Sequence, residues 1–261
     1  MNLTVTLVQT PLHWESPAAN RAMLEEKLSE LKQPTDLIVL PEMFTTGFSM
    51  AAPQLAEPMN LHTFKWLHQM ASLTGAAVTG SYIVSENGKH YNRLVWMQPD
   101  GEYFTYDKKH LFGLAGEGES YQAGEQRLVV EWRGWRICPL ICYDLRFPVW
   151  SRNTYDNGTA GYDLLLYVAN WPRPRRLAWQ TLLRARAIEN QSYVAGVNRV
   201  GTDAKGHEYT GDSAAINYLG ETLWDGGDAE TAHTLTLNRD ELLDFRQRFP
   251  FHQDADSFQL I

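Results

Sequence analysis

The sequence predicts an α/β fold in which helices cover sheets, and three observations carry that reading. Strand-like and helix-like segments alternate from one end of the chain to the other. No stretch has the composition of a linker, a repeat or a low-complexity tract, so residues 1–261 are expected to form one domain. With 44% hydrophobic and 21% charged residues over 261 positions, the chain can bury a substantial core and lacks the composition of a disordered or fibrous protein.

The elements follow in order. LTVTLVQ at 3–9 alternates as a half-buried strand does. Ser16 and Pro17 supply a cap and a first-turn signal for a helix on which Met23, Leu24, Leu28 and Leu31 recur, with a break at Pro34. DLIVLPE at 36–42 is an apolar strand stopped by proline. Asn60 opens a second helix carrying Leu61, Phe64, Leu67, Met70 and Ala71 on one side, and Gly75 stands where a helix stop belongs. AAVTGSYIV at 76–84, YNRLVWM at 91–97 and EYFTYDK at 102–108 form a meander whose turns are ENGK and QPDG. RICPLIC and DLLLYVAN at 163–170 are further apolar strands. RRLAWQTLLRARAIENQ at 175–191 is a helix with Leu177, Thr181, Leu182, Ala185 and Ile188 along one stripe. YVAGVN at 193–198, SAAINYL at 213–219 and HTLTLN at 233–238 read as strands, and RDELLDFRQRF at 239–249 as a helix.

Composition also excludes partners. A net charge of −8 repels phosphate backbones and anionic lipids, and RPRR at 173–176 is too short a basic run to offset it, so neither nucleic acid nor a membrane is expected as a partner. The start, MNLTVTLVQTPLHW, lacks the basic and apolar regions of a secretory signal, and no run of about 18 apolar residues could span a bilayer. A cytoplasmic protein is expected. Cys138 and Cys142 are the two cysteines, too few for a disulfide framework, and both thiols are expected to be free.

Cys142 stands where a strand runs out into YDLRFP, the position at which α/β sheets present side chains to a ligand. Cys138, inside the apolar run, reads as a small core residue. A thiol nucleophile needs a base and a positive charge beside it. Glu42 follows the strand DLIVL and Lys108 follows EYFTYD, so both could reach the same crevice; taken alone, Glu42 reads better as a solvated or capping glutamate and Lys108 is also compatible with a surface lysine in a charged turn. A histidine base is the rival arrangement, with His110 nearest in sequence to Lys108.

Taken together, LIVLPEMF around Glu42, YDKKHLF around Lys108, ICYDLRFP around Cys142 and the helix RARAIENQSYV resemble the carbon–nitrogen hydrolase, or nitrilase, superfamily over nearly the whole chain. The resemblance implies a four-layer α-β-β-α sandwich, two stacked mixed sheets covered by helices, which the alternation alone does not separate from a doubly wound fold. It implies a Glu42–Lys108–Cys142 triad, with Lys109 as a solvated neighbour. A second, supporting glutamate is implied after the lysine motif. GEGESYQAGE at 116–125 offers Glu117 and Glu119 for it, and the spacing to Gly124–Glu125 favours Glu119.

The implied reaction is hydrolysis of a carboxamide through a cysteine thioester, with the Lys108 ammonium and the Tyr143 backbone N–H stabilising the oxyanion. No metal or organic cofactor is expected. Cys142→Ala, Glu42→Gln and Lys108→Met are each expected to abolish turnover and leave folding nearly intact. Within the superfamily the resemblance is strongest to omega-amidases, which remove the terminal amide of 2-oxoglutaramate or 2-oxosuccinamate. Other amidases, N-carbamoyl amidases and nitrilases are the alternatives within the superfamily, and a catalytically silent small-molecule binder is the alternative outside it. Such a substrate carries a carboxylate, for which Arg146, Arg173, Arg175 and Arg176 are candidate partners, with Trp171 and Phe112 as apolar walls. A homodimer packed through helices near the cysteine strand is also implied.

Overall fold

A computed structural model describes residues 1–156 and 158–256. Two mixed sheets stack face to face. The first orders its strands Thr231–Asn238, Asn2–Gln9, Leu37–Val39, Ala77–Glu86, Lys89–Met97 and Tyr103–Asp107, with the short Glu57–Pro58 strand on Ala77–Glu86. The second orders Thr222–Asp225, Ala214–Ile216, Tyr193–Asn198, Leu164–Ala169, Trp135–Ile141 and Val130–Trp132. In each, the central strands pair in parallel and the outer ones antiparallel. Leu3, Val5, Leu7, Leu37 and Val39 from the first sheet share one apolar core with Ile137, Leu140, Leu164, Leu166 and Val168 from the second.

Helices cover the outer faces. Pro17–Ser29 and His62–Thr74 bury Leu24, Leu28, Trp66, Leu67 and Met70 against the first sheet. Arg176–Asn190 lies on the second sheet. This is the α-β-β-α sandwich that the motif resemblance implies. No helix among the described residues is long and apolar enough to cross a membrane.

Three local expectations are corrected. Ser16 occupies the cap position but its hydroxyl makes no capping bond. Asn60 takes a left-handed φ of 69°, and the helix starts one residue later than expected, with Leu61 at the cap. The buried side of Arg176–Asn190 is Trp179, Leu183, Arg186, Ala187 and Asn190, whereas Leu177 and Ile188 of the expected stripe face outward at 77% and 51% exposure. Arg186 and Asn190 are buried because they are bonded: Arg186 Nη2 donates to Leu145 O at 2.7 Å and Asn190 Oδ1 accepts from Asn153 N at 2.8 Å. The meander, the helix stop at Gly75 (φ 68°) and the strands around both cysteines lie where the sequence places them.

One packing detail fixes the glutamate. Beyond Val39 the chain stays against the neighbouring strand, with Leu40 N donating to Thr79 O at 2.7 Å and Phe44 N to Ser81 O at 3.0 Å. Gly80 makes this approach possible, because a Cβ there would stand 2.8 Å from Leu40 Cβ and 2.9 Å from Phe44 Cδ1. Gly80→Ala should therefore destabilise the fold by about 1–3 kcal/mol and displace the segment carrying Glu42. Denaturant unfolding and turnover, measured on the same preparation, check both effects; an unchanged unfolding midpoint would contradict the packing argument.

Candidate active site

The C-terminal ends of parallel strands from both sheets converge on one crevice, the place where α/β sheets bind ligands. Leu37–Val39 delivers Glu42, Trp135–Ile141 delivers Cys142, and Leu164–Ala169 delivers Asn170 and Trp171. Lys108 enters from the end of Tyr103–Asp107, its backbone N donating to Asn92 O at 3.0 Å.

Lys108, Glu42 and Glu117 form a buried charged cluster, each at most 1% exposed. Lys108 Nζ donates to Glu42 Oε1 at 2.9 Å and to Glu117 Oε1 and Oε2 at 3.0 and 2.9 Å. Burial works against the Lys108 ammonium, but the carboxylates of Glu117 and Glu42 outweigh it and hold the group above its ordinary range. Burial likewise pushes Glu117 up, with Lys108 opposing and Glu42 reinforcing the shift. Glu42 is fixed by further donors, Asn92 Nδ2 at 2.9 Å on Oε1 and Asn170 N at 2.8 Å on Oε2. Removing one member leaves an uncompensated charge in the interior, a change that costs about 3–5 kcal/mol. Lys108→Met therefore tests stability as well as chemistry, against the expectation of nearly intact folding.

Glu119 is corrected to Glu117 as the glutamate against the lysine. Gly116, at φ 68°, turns the chain so that Glu117 points inward, where Oε2 also accepts from Phe112 N at 2.5 Å, while Glu119 is exposed.

Cys142 is 8% exposed and sits in a left-handed turn at φ 45°, between its strand and a turn of 3₁₀ helix over Cys142–Arg146. A positive φ at a non-glycine residue is an uncommon backbone state, and here it bends the chain sharply where the strand ends. Burial holds its thiol well above the ordinary range; the neighbouring Glu42 carboxylate adds to this, and the Lys108 ammonium opposes it. Cys138 is fully buried and pushed up by burial to about 12, as a packing residue should be. Both are free. His110 does not face the thiol: its Nδ1 lies 2.8 Å from Asp144 Oδ1 and its ring stacks on Phe147 at 3.6 Å. Lys109 is half-buried, its Nζ 5.4 Å from the Trp150 ring centroid, rather than solvated.

The crevice is a cavity of about 260 Å³. Cys142, Lys108 and Asn170 line it together with the aromatic rings of Phe48, Phe112, Tyr143 and Trp171. Arg146 and Arg175 line it too, their Cζ atoms 5.0 Å from the rings of Trp171 and Phe112. Neither guanidinium pairs with a carboxylate among the described residues. Arg173 is corrected: it is exposed, bonds Glu208 at 2.6 Å and does not line the cavity. Arg176 pairs with Asp212 at 2.7 Å. Sequence reasoning missed the fourth wall, the hairpin Val200–Thr202 and Glu208–Thr210, whose turn and second strand bring Asp203, Lys205, His207 and Tyr209 to the cavity. It also missed Asn92, whose amide donates to both Glu42 and Glu117, and Asn170, which bonds Glu42 and lines the cavity; neither carries a motif signal.

A fold of this layering with a buried acid, ammonium and thiol defines a class, and sequence comparison names it: the carbon–nitrogen hydrolase family pattern matches residues 4–246. The chain belongs to that family and is an amide-hydrolysing enzyme. It is 48% identical to Omega-amidase YafV of Yersinia enterocolitica over 260 residues, 99% of each chain. It is 33% identical to 2-oxoglutaramate amidase of Bacillus subtilis (strain 168), over 97% of this chain and 98% of that one. Among solved structures, the CN-hydrolase superfamily protein XC1258 of Xanthomonas campestris, carrying an arsenic adduct in its active site, superposes with a TM-score of 0.98. Its identity is 46%, and each chain is covered completely.

The raised thiol predicts a pH profile. A group held above its ordinary value keeps its proton at neutral pH and loses it only as pH rises, so the resting enzyme holds Cys142 as a thiol. Alkylation of Cys142 by iodoacetamide should climb continuously to beyond about pH 9, without the plateau near neutrality that a thiolate pair gives. A plateau below pH 8, read by mass spectrometry of the Cys142 peptide, would contradict the assignment.

Proposed function

We propose that this enzyme is an omega-amidase, hydrolysing the terminal amide of a small 2-oxo dicarboxylic acid monoamide, such as 2-oxoglutaramate or 2-oxosuccinamate, to the dicarboxylate and ammonia. The observation that carries the reading is charge placement in one cavity. The buried thiol and ammonium lie among its walls, with the Glu42 carboxylate behind them 2.9 Å from Lys108 Nζ, and so do two guanidinium groups, Arg146 and Arg175, that have no carboxylate partner among the described residues. A substrate with an amide at one end and a carboxylate at the other meets both sets of groups. The names of the relatives that share its whole length support the same substrate class.

Glu42 accepts the thiol proton as Cys142 Sγ attacks the amide carbon, forming the C–S bond. The Lys108 ammonium and the Tyr143 backbone N–H stabilise the oxyanion. The C–N bond breaks as Glu42 returns the proton to the leaving nitrogen, and ammonia departs. Glu42 then deprotonates a water that attacks the thioester; the C–S bond breaks and the thiolate recovers its proton from Glu42. Glu117 keeps Lys108 charged and aimed, and Trp171, Phe112 and Tyr143 form the apolar sleeve for the chain between the two polar ends.

Ammonia release over a panel of 2-oxo acid omega-amides, glutamine, simple amides and nitriles tests this. The 2-oxo acid amides should rank first, Cys142→Ala should be inactive on every member, and Arg175→Ala should raise KM for 2-oxoglutaramate roughly 10- to 100-fold while leaving a simple amide unaffected. Simple amides ranking above 2-oxo acid amides would remove the substrate assignment and leave the hydrolase class standing.

A homodimer belongs to the same proposal. Leu177 and Ile188 on the outer face of Arg176–Asn190 join Leu219 and Leu223 as exposed apolar side chains, and Arg184 ties that helix to the 220–222 segment through Gly220 O at 2.7 Å and Thr222 Oγ1 at 3.1 Å. Light scattering should give twice the chain mass, and Ile188→Asp should give the monomer; a monomeric parent protein would refute the assembly.

A further inference from the structure

Asp144 is fully buried and is the hub of a hydrogen-bond network that reaches both reacting arms of the site. Its Oδ2 accepts from Ile141 N at 3.0 Å, the residue immediately before Cys142, and from Tyr106 OH at 2.7 Å. Its Oδ1 accepts from His110 N at 3.0 Å and lies 2.8 Å from His110 Nδ1. A carboxylate only accepts, so that His110 nitrogen carries the proton. Tyr106 and His110 stand two residues before and two residues after Lys108. One side chain therefore grips the strand end carrying the nucleophile and both flanks of the lysine.

The surroundings make the grip rigid. Tyr106 OH accepts from Trp150 Nε1 at 3.0 Å, and the His110 ring lies flat on Phe147. From the other side, Arg186 holds Leu145 O. All four donors converge on the two oxygens of a fully buried side chain, where a satisfied network is stiff and a half-satisfied one costs stability.

We propose that Asp144 is a positioning residue for the reaction, setting the distance between Lys108 Nζ and Cys142 Sγ so that ammonium and thiol act on the same carbonyl. It touches neither substrate nor reacting atoms. The inference rests on the reading of Cys142 and Lys108 as nucleophile and oxyanion stabiliser. It assigns to Asp144 what the triad does not supply by itself, because Lys108 and Cys142 come from different sheets and their relative placement depends on a tie between the sheets.

Asp144→Asn is the informative substitution. Each carboxylate oxygen faces a backbone N–H, Ile141 on one side and His110 on the other. Whichever way the amide turns, its NH₂ meets a donor and one arm of the tie is lost while the shape of the side chain is kept. Misplacement of reacting groups by about 1 Å costs on the order of 100-fold in turnover. Asp144→Asn should lower kcat for 2-oxoglutaramate about 100-fold with KM within about 3-fold of the parent, because Arg146 and Arg175 are outside the network. Iodoacetamide alkylation of Cys142, which needs no lysine, should stay within a few-fold. Tyr106→Phe, which deletes one hydroxyl, keeps the test available if Asp144→Asn does not fold; it should lower kcat by a smaller factor, again at unchanged KM.

A kcat within about 3-fold of the parent in the folded variant would overturn the proposal. So would a joint change of kcat, KM and alkylation rate, which is what general loosening produces. Either result leaves the triad standing provided Cys142→Ala is inactive; activity in Cys142→Ala would instead remove the reading on which the inference rests.

Discussion

The interior of this protein is organised around one ammonium held between two carboxylates. Lys108 is all but fully buried, and the cost of taking its charge out of water is met only because Glu42 and Glu117 are within 3.0 Å of its Nζ. Both glutamates are buried as well, so each needs donors of its own, and the chain supplies them as Asn92, Asn170 and the Phe112 backbone. The polar centre can exist because the two sheets around it are otherwise apolar and closely packed. Those packed sheets in turn leave their open end at the strand termini, where the thiol is.

The same cluster explains why the thiol is held protonated. Two carboxylates and burial disfavour a thiolate, one ammonium favours it, and the balance leaves the proton on sulfur until a base moves it. A site built this way does not store a reactive anion. Glu42 and Lys108 stand beside that thiol in the same buried cluster, so a base and a cation are both at hand.

Charge placement at the cavity follows a different logic from charge placement in the core. Arg146 and Arg175 lie over aromatic rings, which support a guanidinium without consuming its donors, whereas Arg173 and Arg176 spend theirs on Glu208 and Asp212. Four arginines look alike in sequence, and the two without a carboxylate partner among the described residues are those that pack over rings. The hairpin spanning residues 200–210 adds Lys205 and Asp203 to the same wall, from a stretch with no motif to mark it.

The sequence alone determined the alternating elements, the meander, the strand ends carrying Glu42, Lys108 and Cys142, and, through three short motifs, the family. These are local matters of periodicity, turn residues and residue order. Tertiary structure decided the rest. Glu117 rather than Glu119 meets the lysine because a left-handed Gly116 sets which way two nearby glutamates point. The inward face of Arg176–Asn190 carries Arg186 and Asn190 because partners elsewhere satisfy them, so its polarity pattern reads the wrong way round. Asp144 ties two sheets through donors as far as 38 positions away in sequence. Burial of a polar side chain depends on whether a distant group completes its bonds, and no local pattern in the chain contains that information.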